Sequence, residues 1–142
     1  FRRALGGRLY GCDDCQEACP VGRPERTTEG RVDLGADIES SDVLDATDDE
    51  LLERFGRWYI AERDPRYLRR NALVALGNTG SGTDPNVVRR MRRALDDPDP
   101  LIRSHAVWAA GRLDRLDLLD GIDDSAPEVA EELAALTGRV GS

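Results

Sequence analysis

The stretch RRNALVALG, residues 69–77, returns 34 positions later as RSHAVWAAG, residues 103–111. A fixed spacing of this size is typical of stacked helical pairs, and the small alanines in both copies let such helices pack closely. We therefore predict a mainly α-helical fold built from repeats. The identical positions of the two copies are Arg69 and Arg103, Ala72 and Ala106, Ala75 and Ala109, and Gly77 and Gly111.

The segments that precede the two copies support the same fold. RDPRYL (residues 63–68) and DDPDPLI (residues 96–102) each offer an aspartate that can cap a helix and a proline for its first turn. SAPEVAEELAAL (residues 125–136) is interpreted as a third, shortened copy, as expected at the end of a repeat array. The pattern resembles HEAT-like repeats, which implies an α-solenoid domain over residues 48–142.

A further helix is predicted between the copies, in TDPNVVRRMRRAL at residues 83–95. Asp84 can cap this helix and Pro85 can occupy its first turn. At helical spacing one side is apolar and the other side carries four arginines. We interpret Met91 as a core residue rather than a ligand. The apolar positions are Val87, Val88, Met91, Ala94 and Leu95, and the arginines are Arg89, Arg90, Arg92 and Arg93.

The segment ahead of the repeats is acidic and has no hydrophobic period. RTTEGRVDLGADIESSDVLDA (residues 26–46) contains glycine and serine, so we predict a linker or surface loop over residues 27–47. Thr47 and Glu50 then match a capping box, in which each side chain satisfies a free backbone N–H, and a helix is predicted to begin near Asp48. Its apolar side would be formed by Leu51, Leu52, Phe55 and Tyr59.

Charge is unevenly distributed along the chain. The net charge is −8 at pH 7, and all 20 basic residues are arginine. Residues 27–53 carry one arginine and ten acids, whereas residues 54–103 carry eleven arginines and six acids. An anionic partner such as RNA could dock on this basic block. Alternatively, the arginines are solvated or paired with the acidic flanks, and spacing alone favours neither interpretation.

If the basic block binds RNA, we expect its arginines to contact phosphates rather than bases. The planar guanidinium fork can donate two hydrogen bonds to one phosphate and stays charged at any relevant pH. The candidate nucleic-acid contacts are Arg63, Arg66, Arg69, Arg70, Arg89, Arg90, Arg92 and Arg93. The aromatic residues Trp58, Tyr59, Tyr67 and Trp108 have helical spacing that favours the core over base stacking, and His105 is interpreted as structural.

The three cysteines lie close together in YGCDDCQEACPVG, residues 10–22. Cys12-x2-Cys15-x3-Cys19-Pro matches the end of the ferredoxin run C-x2-C-x2-C-x3-C-P but lacks its middle. Zinc would need a fourth ligand, and the single histidine is far away in sequence. In two-cluster ferredoxins the last cysteine of such a run ligates the other cluster. On this pattern Cys12 and Cys15 would hold one 4Fe-4S cluster and Cys19 a second. The missing thiolates would precede Phe1, so we expect the chain to begin inside a longer protein.

YGCDDCQEACP together with YLRRNALVALGN (residues 67–78) resembles the C-terminal part of the epoxyqueuosine reductase family. These are iron-sulfur and cobalamin proteins that complete the queuosine modification of tRNA. The resemblance implies an upstream cobalamin-binding catalytic domain, then the end of a two-cluster ferredoxin module in residues 1–26, then the repeats. Cys12 and Cys15 correspond to ligands of the second cluster and Cys19 to the ligand that returns to the first.

The resemblance also implies a reaction and partners. The epoxide of epoxyqueuosine would be reduced in tRNA, with electrons passing from a donor through the 4Fe-4S clusters to cobalamin in the upstream domain. The chain would be part of an oxidoreductase, would contact the anticodon stem-loop of tRNA, and would itself hold no catalytic residue. A cytoplasmic location is expected. No apolar run approaches the roughly 18 residues of a membrane helix, so no membrane is expected as a partner.

Two other function classes stay open at this point. An iron-sulfur electron-transfer module with a HEAT-like docking domain could serve a different redox enzyme, and it would need the cysteines but no arginine surface. A HEAT-repeat scaffold for protein partners would need neither iron nor RNA. The acidic stretch over residues 27–50 matches no motif of the reductase family, and Val21-Gly22 stand where that family commonly has Trp-Asn.

Overall fold

The computed structural model of the chain describes residues 2–7, 9, 40–56 and 61–140. Six α-helices and three short 3-10 helices form most of these residues, which include no strand. The mainly α-helical prediction is confirmed. The α-helices are α1 (Ser40–Asp45), α2 (Asp48–Phe55), α3 (Arg66–Thr79), α4 (Pro85–Leu95), α5 (Pro100–Arg112) and α6 (Pro127–Val140), and the 3-10 helices are Arg2–Leu5, Ala61–Arg63 and Leu116–Leu119.

The start of α2 is held by the capping box expected from its sequence. The backbone N–H of Glu50 donates to Thr47 Oγ1 at 3.3 Å, and the backbone N–H of Thr47 donates to Glu50 Oε2 at 2.7 Å. Because both otherwise free N–H groups are satisfied, the helix begins at Asp48 as predicted. Its inner side buries Leu51 and Phe55. Tyr59, the fourth residue predicted on that side, lies outside the described residues.

Helices α4 and α5 begin with the predicted combination of a capping aspartate and a proline. Asp84 accepts a hydrogen bond from the N–H of Asn86 at 2.8 Å, and Asp99 accepts one from the N–H of Leu101 at 2.9 Å. In both helices the proline after the aspartate occupies the first turn, where its missing N–H costs no helical bond.

Helix α3 begins differently from its repeat partner α5. Pro65 is the residue before the helix rather than its first residue, and it makes no side-chain cap. The aspartate nevertheless contributes, since Asp64 Oδ1 accepts a hydrogen bond from the N–H of Arg66 at 3.0 Å. The proline-bearing segment therefore starts the helix, but Pro65 does not occupy the first turn as predicted, and the aspartate is one residue further from the helix than in α5.

The repeats stack side by side. Helices α3 and α5, the two copies of the repeat, pack on each other, and α6 packs on α5 in turn. Helix α4 packs on α5 with its apolar side, and Met91 is completely buried there, which confirms its core role. Val88, predicted on the same side, is half-buried. The buried residues of α4 are Val87, Met91, Ala94 and Leu95.

The glycine shared by the two copies lies where one helix meets the next. A methyl group added at Gly77 would be 2.9 Å from Trp108 Cζ3 and 3.0 Å from Ala109 Cα on α5. At the equivalent position, a methyl group added at Gly111 would be 2.4 Å from Leu136 Cδ2 on α6. The 34-residue period thus marks the contact points of the stack. The contact at Gly77 involves backbone, whereas the contact at Gly111 involves the end of a flexible side chain.

Residues 40–45 differ from the prediction of a linker, because they form helix α1. Val43 is 2% exposed and belongs to the same apolar cluster as Leu51 and Phe55 of α2. Leu44 packs against the edge of this cluster and of the main core, which contains Met91. Burial of these two side chains holds a segment that has no helical period of its own. The predicted division of the chain into residues 1–26, 27–47 and 48–142 stays a prediction. Residues 27–39 lie outside the described ranges.

His105 and Trp108 are core residues, as predicted. His105 is 9% exposed, and its Nδ1 lies 2.8 Å from the carbonyl oxygen of Leu101, one helical turn earlier. Burial lowers the pKa of His105 to about 4, with the nearby Arg2 and Arg70 contributing less. The imidazole is therefore neutral at pH 7, and its Nδ1–H donates to that carbonyl.

We expect Gly77→Ala to destabilise the protein more than Gly111→Ala. Alanine gains about 1 kcal/mol over glycine in a helix interior, but overpacking of a dense core costs about 1–3 kcal/mol. At Gly77 the backbone of α5 cannot move aside, so we expect a net loss of up to about 2 kcal/mol in the free energy of unfolding. At Gly111 rotation of Leu136 relieves the clash and the two effects nearly cancel. Urea unfolding of both variants measures the difference. Equal losses would contradict the conclusion that the contact at Gly77 is rigid and the contact at Gly111 is flexible.

Neutral His105 makes stability dependent on pH. The folded pKa of about 4 lies below the ordinary value of 6.5, so the unfolded chain binds a proton more readily as the pH falls through this window. The contribution is fully present above pH 6.5 and decreases toward pH 4, by about 2 kcal/mol between pH 7 and pH 5.

The measurement is the free energy of unfolding at several pH values for the unaltered protein and for His105→Asn. Asparagine is the matched choice because Asn71 occupies the same position in the first repeat. The difference between the two proteins should decrease as the pH is lowered. A difference that is the same at pH 7 and pH 5 would show that His105 does not titrate in this window.

Candidate functional site

The four arginines of α4 divide into two pairs. The apolar side of the helix is buried, so Arg89, Arg90, Arg92 and Arg93 project away from the core. Arg90 and Arg93 both bind Asp45 of α1. Arg89 and Arg92 are exposed, and their guanidinium groups form no ion pair or hydrogen bond with any residue that the structure describes. Arg92 is near enough to Asp117 to contribute a small part of the lowered pKa of that carboxyl.

Asp45 is held by both guanidinium groups at once. Arg90 donates to its Oδ2 through Nε at 2.9 Å and through Nη2, and Arg93 Nη2 donates to Oδ1 at 2.7 Å. The pKa of Asp45 is lowered, first by the hydrogen bonds from Arg90 and then by those from Arg93. Arg93 also donates to the carbonyl oxygen of Leu44 at 2.6 Å. The carboxylate of Asp45 is thus bound between two arginines of α4.

Residues 40–48, which we call the acidic strap, also contact α3. Arg69 Nη2 donates to the carbonyl oxygen of Ala46 at 2.9 Å, and Arg69 Nη1 forms an ion pair with Asp48. The strap consequently lies across arginines from two different helices. Close by, Arg66 Nε is 2.9 Å from Asp64 Oδ2.

The structure brings four of the eight candidate arginines together around one groove of about 610 Å³. Its charged lining consists of Arg66, Arg69, Arg90 and Arg93 with Asp45, Asp48, Asp64, Asp97 and Asp99. Arg69, Arg90 and Arg93 are paired with aspartates of the acidic flank, Asp45 and Asp48. Arg66 is paired with Asp64 and Asp99, which lie within the basic block itself. Arg63 and Arg70 do not line the groove. Arg63 donates to the carbonyl oxygen of Gly56 at 3.3 Å, and Arg70 donates to Asn71 Oδ1 at 3.0 and 3.1 Å.

The segment that leads to the cysteines is anchored on helix α3. Asn78 Nδ2 donates to the carbonyl oxygens of Arg2 and Gly6, at 2.8 and 2.9 Å. Asn71 Nδ2 donates to the carbonyl oxygen of Leu9 at 2.8 Å, and Leu9 is 8% exposed. We did not predict a role for these asparagines. Their separation of seven residues, which places both amides on one face of a helix, was the available signal.

The cysteines themselves, Cys12, Cys15 and Cys19, lie outside the described residues, so their role stays a prediction. Within the described ranges, no group of three or more His, Cys, Asp or Glu side chains could hold a metal ion. Among the helices described, none is long and apolar enough to span a membrane.

Comparisons with known proteins agree with this architecture. Residues 57–140 match the family model for HEAT repeats. The chain is 31% identical over 117 residues to an epoxyqueuosine reductase of Staphylococcus aureus, covering 80% of this chain and 30% of that relative. The resemblance to epoxyqueuosine reductases is thereby confirmed, and the chain spans about 30% of the length of the curated relative.

Solved structures give the same result. The epoxyqueuosine reductase of Streptococcus thermophilus is 25% identical, with a TM-score of 0.79, and the likeness covers 100% of this chain and 40% of that one. An epoxyqueuosine reductase bound to an epoxyqueuosine-modified stem loop of tRNA-Tyr is 27% identical, with a TM-score of 0.68, covering 96% and 40% of the two chains. The stacked helices α3 to α6 and the family match over residues 57–140 show that this chain belongs to the HEAT-repeat family.

Proposed function

We propose that this chain forms part of an epoxyqueuosine reductase and supplies a helical-repeat surface for tRNA together with thiolate ligands for iron-sulfur clusters. The observation that carries the proposal is the likeness over 100% of the chain to a solved epoxyqueuosine reductase, at a TM-score of 0.79. A second solved reductase carries a modified tRNA stem loop, which supports tRNA as the partner.

Reduction of the epoxide would take place in the upstream domain. None of the residues of this chain is proposed as catalytic, and none as a contact of cobalamin. The upstream domain, an electron donor and the anticodon stem-loop of tRNA are the proposed partners, in the cytoplasm. The role of this chain is therefore to bind and to position.

The three cysteines fit iron-sulfur clusters in the chemistry of their donor atoms, because thiolate sulfur is the usual ligand of iron in such clusters. Cys12 and Cys15 would hold one 4Fe-4S cluster and Cys19 another. When bound, such clusters transfer single electrons. Asn71 and Asn78 would hold the chain segment that approaches the cysteines, through the backbone bonds to Leu9, Arg2 and Gly6.

The tRNA contact would begin with Arg89 and Arg92. Both are exposed and free of ion pairs within the described residues, so a phosphate can bind them without displacing an internal partner. Their planar forks suit phosphate oxygens. Arg66, Arg69, Arg90 and Arg93 lie on the neighbouring groove, although each is engaged by an aspartate in the free chain.

That pairing is also the observation that favours a second candidate function. An iron-sulfur electron-transfer module that serves a different redox enzyme would use the cysteines and the HEAT-like domain for docking. It would need no free arginine surface, and internal neutralisation of four arginines agrees with this requirement. Binding of tRNA distinguishes the two candidates.

In the intact protein, we expect Cys12→Ala or Cys15→Ala to remove one 4Fe-4S cluster and Cys19→Ala to perturb the other. Each substitution removes a thiolate that no other group of this chain replaces, and the isolated chain should hold no complete cluster. Iron and acid-labile sulfide analysis with electron paramagnetic resonance measures the result. Gly111→Ala serves as the control that keeps its iron. If all three cysteine variants keep the iron content of the unaltered protein, the cluster assignment is wrong.

The tRNA surface is tested with the double variant Arg89→Gln/Arg92→Gln in the intact protein. We expect weaker tRNA binding and a flatter dependence of log affinity on log salt, by about 0.7 for each phosphate of a looped region that the variant no longer neutralises. Because phosphate contacts carry no sequence information, cognate and non-cognate tRNA should be affected alike.

The matched control is Arg3→Gln/Arg112→Gln, which removes the same charge from two exposed arginines outside the predicted set. This control should leave the salt slope nearly unchanged. Equal slopes for the unaltered protein and both double variants would show that the outer face of α4 is only solvated, and would favour the second candidate function.

A further inference from the structure

The acidic strap occupies an anion site on the repeat domain, between two arginines of α4. Arg90 and Arg93 donate hydrogen bonds to both oxygens of Asp45, with distances of 2.9 Å from Nε of Arg90 and 2.7 Å from Nη2 of Arg93. Two guanidinium forks that converge on two oxygens of one anion form the arrangement that also binds a phosphate group. The carboxylate of Asp45 therefore occupies a position that is chemically suited to a phosphate of an RNA backbone.

The outer part of the contact between the strap and α4 is open to solvent. The side chains of Asp45 and Arg93 are 40% and 56% exposed, and ion pairs with this exposure contribute little to stability. Helix α1 has six residues, and such a short helix depends on packing rather than on its own hydrogen bonds. Val43 is its single buried residue. By contrast, the side chain of Arg90 is only 15% exposed, so half of the anion site stays in place when the strap moves.

Charge complementarity points to the same conclusion. The strap belongs to residues 27–53, which carry ten acids and one arginine, and it lies against the basic block of residues 54–103. The strap contacts arginines of α3 and α4 together, through Asp48 and Asp45 respectively. A polyanion that approached this groove would meet the same arginines and would be repelled by the strap.

We propose that Asp45 is an internal competitor of tRNA, and that its carboxylate holds the site between Arg90 and Arg93 until a backbone phosphate replaces it. This inference rests on the proposed function, because it assumes that the repeat domain binds tRNA. The strap would then weaken binding to any polyanion that cannot displace it. If Arg89 and Arg92 hold a tRNA, a neighbouring phosphate of the same backbone would be brought close to Asp45 and could displace it.

The test compares Asp45→Asn with the unaltered intact protein in tRNA binding across a salt series. Loss of the competing charge should tighten binding about two- to ten-fold, as expected for one or two exposed ion pairs. It should also steepen the salt dependence, since no displaced carboxylate is left to take up a cation when the phosphate binds. The gain should disappear in Asp45→Asn/Arg90→Gln/Arg93→Gln. Binding that is unchanged or weaker in Asp45→Asn would overturn the proposal and show that Asp45 only orders the arginines.

The matched control is Asp124→Asn, which removes another carboxylate bound by an arginine, Arg103, at a distance of 3.2 Å from Nη2. An equal gain in this control would overturn the proposal, because the effect would then come from net charge alone. A gain for inorganic phosphate but not for tRNA would also overturn it.

Hydrogen exchange in the unaltered protein decides the matter if Asp45→Asn does not fold. Amides of residues 43–46 should exchange faster when tRNA is bound, and unchanged or slower exchange would contradict release of the strap. The Arg89→Gln/Arg92→Gln measurement separates this inference from the proposed function. If that variant weakens tRNA binding while Asp45→Asn changes nothing, only the inference fails. If no variant alters tRNA binding, both fail.

Discussion

The close approach of helices α3 and α5 at Gly77 is the constraint on which the rest of the molecule depends. A side chain at this position would meet Trp108 Cζ3 at 2.9 Å and the backbone of Ala109 at 3.0 Å, so the two helices approach closely here. Small residues throughout the contact, including Ala72, Ala106 and Ala109, are completely buried. Because this contact fixes the orientation of α3, it also fixes the directions in which Arg69 and Asn71 leave the helix. These two side chains carry the contacts that matter for the proposed function.

Helix α3 joins the two halves of the proposed function. Arg69 and Asn71 are two residues apart and so differ by about 200° around the helix. Arg69 contacts the acidic strap, whereas Asn71 contacts the segment that leads to the cysteines. The same rigid helix thus orders the arginine groove on one side and the approach to the proposed cluster ligands on the other.

Local signals can be predicted from the sequence, and distant pairings cannot. The capping box of Thr47 and Glu50 and the caps of Asp84 and Asp99 are predictable because the donor and the acceptor lie within three residues of each other. The Arg90–Asp45 pair joins residues 45 positions apart, and the Asn78–Arg2 bond joins residues 76 positions apart. No spacing rule specifies such partners. For the same reason the sequence predicts a linker where helix α1 lies, since the stability of this helix comes from Val43 in a core formed elsewhere.

The repeat-equivalent residues Asn71 and His105 give the array a direction. In the first copy the amide of Asn71 points out of the helix to the backbone at Leu9, while in the second copy His105 bonds within its own helix to Leu101. The two copies are thereby unequal: Asn71 of the first donates a side-chain hydrogen bond to another segment of the chain, whereas His105 of the second donates within its own helix. The backbone at Leu9 is therefore fixed to the first copy by a bond that the second copy does not offer, although Arg2 of the same segment also reaches Trp108 of the second copy, 5.5 Å from the ring centroid.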